Sequence, residues 1–156
     1  MLSPDYISGL VEGQGGFTYT KMGGNVYPYF ALRLSSADLP LLEKIKGFFK
    51  AGTIYKIEKR TYTMNNQAYT SGVMAFLKIY RMDELMKLVW HFADYPLIGK
   101  KAAAFKVWKE MVMLKAVNRK EDWPKLHDLA AQLTKANGGK TKRPRKKKSL
   151  IHRSGA

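Results

Sequence analysis

The chain has 156 residues, 46% of them hydrophobic and 12% aromatic, with 28 Lys and Arg against 12 Asp and Glu, a formal net charge of +16. That is enough chain for one domain with a sizeable core. The absence of cysteine excludes a disulfide framework and Cys-ligated zinc, the lack of an apolar run of about 18 residues excludes a membrane helix, and with no basic stretch leading into an apolar block at the start no secretory signal is evident, so an intracellular setting is expected.

Ser3-Pro4-Asp5 reads as a helix start, with Ser as N-cap, Pro in the first turn and Asp against the helix dipole. That helix runs to about Gly13. Residues 16–22 and 26–35 are rich in Tyr, Phe, Thr and Val and read as two strands joined at Met22-Gly23-Gly24-Asn25. "SADLPLLEKIKGFF" has helical spacing at Leu39, Leu42, Ile45 and Phe49. A third strand over about 52–62 turns at Met64-Asn65-Asn66-Gln67 into a fourth over about 68–79. "MDELMKLVWHF" and "KKAAAFKVWKEMVMLKA" are helices, and Trp123-Pro124 opens a last amphipathic one that stops at Gly138-Gly139. The order predicts an α+β domain over 1–138 with one four-stranded antiparallel sheet.

In the first hairpin, Phe17, Tyr19, Phe30, Leu32 and Leu34 alternate as a core face, and Thr18, Thr20, Met22, Tyr27, Tyr29, Ala31 and Arg33 alternate opposite them. In the second, Tyr55, Lys59 and Lys78 are the candidates for the open face, although the alternation breaks around Ile57. A two-stranded ribbon fits the DNA major groove. Each of these positions taken singly is also compatible with an ordinary solvated strand.

The first helix contains Gly9 and Gly13, four apart on one face, with Ser8 beside them. Each Gly costs about 1 kcal/mol relative to Ala inside a helix. Close packing against another helix would offset that cost. The candidate partners are the same helix of a second copy about a two-fold axis or a helix of the same chain; a fortuitous pair is the third reading.

Ile7-Ser8-Gly9-Leu10-Val11-Glu12-Gly13-Gln14-Gly15 resembles the signature of the LAGLIDADG homing endonucleases at eight of its nine positions. "DLPLLEKIKGFF" (38–49), "HFADYPLIGKK" (91–101) and "FKVWKEM" (105–111) fit the family in the expected order, so the resemblance spans about residues 5–135. It implies an αββαββα fold with the helices on one face of the sheet. With a single motif, it implies a homodimer packed through Ser8, Gly9, Glu12 and Gly13, bound to a long, near-palindromic double-stranded DNA site. It implies metal-assisted hydrolysis of both strands, with Mg²⁺ as the cofactor, held at the ends of the two motif helices. The matching positions are Gln14 for the metal-binding acid and Gly13 for a carbonyl ligand, Glu12 carries over as structural, and Lys100 or Lys101, the latter preferred, would position water or offset phosphate charge.

Gln14 departs from the family pattern, which has Asp or Glu there. Gln keeps the shape of Glu without the charge that a hard cation requires. Cleavage is therefore expected to be impaired or absent, in a natural DNA-binding derivative or in a form whose Glu was replaced. The alternative is a non-cleaving DNA-binding protein or an RNA-binding intron maturase of the same fold. A nuclease built on histidine is not supported: His91, His127 and His152 fall in separate segments without ligand spacing.

Residues 139–156 form a basic, aperiodic stretch that reads as disordered. Lys140, Lys142, Arg143, Arg145, Lys146, Lys147, Lys148 and Arg153 lie there without a single acid, and residues 1–139 keep 20 basic and 12 acidic residues. A basic body with a basic tail points to a polyanionic partner. Deleting residues 140–156 is expected to flatten the dependence of log affinity on log salt while leaving the preferred sequence unchanged; an unchanged slope in a salt titration would show that the tail does not touch phosphate.

Overall fold

The computed structural model describes residues 1–58, 61–70 and 72–139; Lys59 and the basic tail lie outside the described residues. Helix α1 (Pro4–Gln14) starts as its sequence predicts, with Ser3 Oγ accepting the Tyr6 N–H at 3.1 Å. It runs directly into β1 (Gly15–Met22), and β2 (Asn25–Ser35) returns antiparallel with Phe17 opposite Phe30. Gly23 and Gly24 both have positive φ, +55° and +78°. That is the two-residue turn whose twist matches a hairpin. A short 3₁₀ turn leads into α2 (Leu39–Phe49), followed by β3 (Thr53–Ile57), β4 (Thr61–Met64), β5 (Gln67–Thr70), β6 (Met74–Ile79), α3 (Met82–Asp94), α4 (Lys100–Val117) and α5 (Trp123–Ala136).

The main sheet has four antiparallel strands in the order β1-β2-β6-β3, as expected. The second hairpin differs from its expected outline. Each of its long strands is divided, and β4 and β5 pair separately as a small ribbon turned at Asn65-Asn66, both in the left-handed region. The division has a physical cause. Ala75, Leu77 and Ile79 alternate into the core along β6, whereas all four residues of β4 are exposed. Beyond Ile57 and Met74 there is no core for the strands to cover.

The core lies between one face of the sheet and the helices. Phe17 is at its centre, with Phe30, Phe92, Phe105 and Trp108 at ring-centroid distances of 5.1–5.5 Å. Trp108 also donates its Nε1–H to the Tyr29 carbonyl at 3.0 Å. Helix α5 is fastened to β1 by Tyr19 Oη with Thr134 Oγ1 at 2.8 Å and by Asn137 Nδ2 donating to the Phe17 carbonyl at 2.9 Å. Fixing α4 and α5 to this face leaves the other face of the sheet open.

Helix α3 is tied to α1 through a buried polar contact. Ser8 Oγ donates to the Tyr95 carbonyl at 2.8 Å and lies 3.1 Å from His91 Nε2. With its own hydrogen committed, the hydroxyl accepts from His91, which therefore carries its proton on Nε2. Phe48, Phe49 and Phe92 surround the imidazole edge-on, and burial holds its pKa below the usual 6.5, against the opposing pull of Asp94 and Asp5. An unfolded chain takes up a proton near pH 6.5 where the folded one does not. The stability is complete above that pH and declines as the pH falls through it, by at most about 1.4 kcal/mol per pH unit from this one group. Thermal melts from pH 7.5 to 5.5 should show a falling midpoint in the parent chain and a shallower fall in His91→Gln. Identical slopes would mean that His91 takes up its proton as readily in the fold as in the unfolded chain.

Candidate functional site

The end of α1 meets the start of α4. Glu12 reaches across the junction and accepts the Ile98 N–H at 3.1 Å and the Gly99 N–H at 2.6 Å. A carboxylate is at its most useful here, satisfying free N–H groups and facing the positive end of α4. Gly99 lets the carboxylate approach closely, since a Cβ there would push Glu12 Oε1 aside. Gly15 is required by proximity: a Cβ would lie 2.6 Å from Val11 Cγ1, where the helix turns straight into a strand.

Glu12 thus fixes the first turn of α4, and Lys101 projects from that turn back over the end of α1. Its Nζ donates to the Gly15 carbonyl, one residue past Gln14. Partial burial pushes the Lys101 ammonium below the usual lysine range, with Glu12 opposing that shift and Lys100 adding to it. Lys100 is exposed at the first position of α4. Of the two lysines weighed on sequence, Lys101 is the one brought to Gln14.

The donor set at this point can be judged against a metal. One chain offers the neutral Gln14 amide and the Gly13 carbonyl, and the Glu12 carboxylate is occupied by two backbone N–H groups. A hard divalent cation needs anionic oxygen. No group of three or more His, Asp or Glu able to hold a metal lies together among the described residues. The residues present do not fit a resident Mg²⁺, so no chemical step can be derived through one.

Gly9 and Gly13 are exposed, and a Cβ added to either meets nothing within 4 Å. An internal helix does not fill this face within the described residues. Tyr6, one turn earlier on the same side, is exposed, as is Ile98 beside Glu12. Two residues grouped with the glycines from the sequence do not belong to the open surface. Ser8 is buried on His91 and Tyr95, and the Glu12 carboxylate is turned onto its own chain. Both have hydrogen-bond partners within the fold that spacing along a helix cannot reveal.

The open face of the sheet is built by strand parity. Thr18 stands opposite Tyr29, Thr20 opposite Tyr27, Ala31 between Gly16 and Lys78, and Arg33 opposite Phe76. Tyr55 flanks Phe76 on the other side, and Met22 lies exposed at the hairpin end. The cations are held over rings: Arg33 is 5.4 Å from the Phe76 centroid, and Lys78 Nζ is 5.6 Å from Phe76 and 5.7 Å from Tyr55. The described residues assigned to this face from sequence are on it; Lys59 lies outside the described residues. Phe76 was missed, although it follows from stepping back two residues from Lys78. Tyr80, stacked on Tyr29 at 4.9 Å, was missed because it follows the last residue of β6.

A family model described as LAGLIDADG endonuclease matches residues 7–112. A probable intron-encoded endonuclease, aI3, of Dictyostelium citrinum is 30% identical over 67% of this chain and 37% of its own length. A probable intron-encoded endonuclease 3 of Neurospora crassa is 31% identical over 69% and 19%. The chain therefore spans well under half of these curated relatives. Among solved structures, the LAGLIDADG meganuclease I-AabMI bound to uncleaved DNA superposes with a TM-score of 0.70 at 30% identity, over 85% of this chain and 45% of that one. The homing endonuclease I-TnaI superposes at 0.67 and 22% identity, over 88% and 95%, and shares the fold. From the motif helix, the antiparallel sheet beneath it and these matches, the chain belongs to the LAGLIDADG endonuclease family.

Proposed function

We propose that this chain binds a long, roughly two-fold symmetric duplex DNA site as a homodimer, and that with Gln14 at the end of α1 it cuts that site very slowly or not at all. The observation that carries the reading is the open sheet face. It presents Arg33 and Lys78 on an aromatic bed, on a chain of net charge +16, and has the polar and apolar mix that base edges and phosphates require. I-AabMI, of which this chain covers less than half, was solved on uncleaved DNA, and I-Vdi141I, of which it covers 87%, was solved complexed with DNA. Both support a duplex partner.

The pairing rests on α1. Its Gly9–Gly13 face is open in the subunit and flanked by exposed Tyr6 and Ile98. A second copy packed there would bring two α1 ends, and hence two Gln14 side chains, to one axis. This fold also occurs both as about half of a longer chain and as nearly the whole of a shorter one, which agrees with a unit that works in twos. Within that arrangement Glu12 orders α4, and Lys101 holds a cation beside the strand entering the groove.

The assembly is tested by Gly13→Leu. No described atom of the subunit crowds this position, and Leu is the better helix former by nearly 1 kcal/mol, so the variant subunit should stay folded, losing only the concentration-dependent part of the midpoint that pairing supplies. Sedimentation should nevertheless change from dimer to monomer at micromolar concentration. A parent chain that sediments as a monomer and binds DNA one copy per site would refute the pairing.

The chemistry is tested at Gln14. Selection from random duplexes should return matching half-sites, and a plasmid carrying the selected site should stay intact with the parent protein in Mg²⁺. Gln14→Glu restores the anionic oxygen on both subunits, and its cutting rate should exceed the parent's by ~10²–10³ or more, with the bound sequence unchanged. Rapid cutting by the parent would show that Gln14 is not at the metal position. Stronger binding to structured RNA than to any duplex would favour the maturase reading instead.

A further inference from the structure

Lysine 115 stands on the buried stripe of α4 with Trp108, Met111 and Val112. It is only 7% exposed, and burial pushes its pKa below the usual lysine range. Its Nζ lies 4.2 Å above the centre of the Tyr27 ring. No carboxylate pairs with it among the described residues. Its stem is buried while the ammonium, with no partner but the aromatic face among the described residues, is left free to take an anion.

The surroundings have room for that anion. The β2–β6 pairing begins at Phe30 opposite Ile79, so the Asn25–Tyr29 end of β2 has β1 on one side and, among the described residues, no strand on the other. A cleft of about 540 Å³ lies there. Met22, Tyr27, Tyr29, Tyr80 and Lys115 are among the residues that line it. Tyr27 and Tyr29 belong to the open sheet face, and Tyr80 is stacked on Tyr29. The cleft therefore joins the outer end of that face to a positive charge on its wall, far along the hairpin from Gln14. Its volume exceeds what one phosphate fills, and its aromatic walls suit the sugar or base attached to one.

We infer that this cleft is a clamp for one backbone phosphate of the bound nucleic acid, with Lys115 as the cation and the Tyr27–Tyr29–Tyr80 wall against the adjoining nucleotide. Lys115 is then a positioning residue that fixes where the outer end of the hairpin lies on the duplex. It carries no sequence information of its own. The inference rests on the duplex-binding reading above.

The test uses the full chain, a duplex carrying the selected site, and Lys115→Met, which keeps the apolar stem and removes the charge. The slope of log affinity against log salt should fall by about 1 per subunit. Affinity should drop about equally for matched and mismatched sites, and Lys115→Arg should recover most of it. Thermal midpoints should change little in Lys115→Met, which keeps the buried stem. A scan with single neutral methylphosphonates should find one position per half-site that weakens the parent several-fold and has no effect on Lys115→Met. Equal salt slopes, or no such position, would overturn the inference while leaving duplex binding intact. A parent chain without duplex affinity would overturn both. Stabilisation of the parent, and not of Lys115→Met, by millimolar inorganic phosphate with unchanged salt slopes would assign the cleft to a free anion and also overturn it.

Discussion

The contact on which the site depends is the Glu12 carboxylate on the N–H groups of Ile98 and Gly99. It satisfies donors that the first turn of α4 cannot pair by itself, and it locks the end of α1 to the start of α4. Lys101 then has one course, back across the junction to the Gly15 carbonyl. Because α4 also carries Trp108, whose indole bonds the Tyr29 carbonyl behind the sheet, the same junction sets how the sheet hangs from α1. A single acidic residue thereby links the helix that has an open face to the strands that have one.

That use of Glu12 has a chemical consequence. A carboxylate bonded to two N–H groups is a poor candidate for a second role as a metal ligand. The next position that could supply an acid holds Gln14. In the proposed pair the two helix ends would meet without the anionic oxygen that would make the meeting point reactive. On that reading recognition and reaction are separable, because they would rest on different elements: the strands and their cations for one, the last turn of α1 for the other.

Much of this was legible in the sequence because it is written in local chemistry. Ser3-Pro4-Asp5 caps a helix, Gly23-Gly24 and Asn65-Asn66 turn hairpins, and alternation from Phe17 to Leu34 sorts one hairpin into two faces. The parts that were not legible depend on distance in space. Ser8 resembles a small surface residue until His91 and Tyr95 arrive from 83 and 87 residues away. The outer halves of the second hairpin have good strand residues yet leave the main sheet, because nothing remains there to bury. Lys115 left a faint trace, a lysine spaced four and three residues from Met111 and Val112 on a stripe of core residues, but its aromatic partner, Tyr27, is distant along the chain.

In the proposed pair, the α1 ends would lie over the duplex without holding a cation, because Glu12 is committed to α4 and Gln14 is neutral. Crystals of the protein on its selected duplex, grown with Mn²⁺, decide this through the anomalous signal of the ion. Two copies joined through α1, each Glu12 still on Ile98 and Gly99, and no manganese peak between the Gln14 side chains are expected. A manganese ion bound there by Gln14, or by a Glu12 released from α4, would refute it.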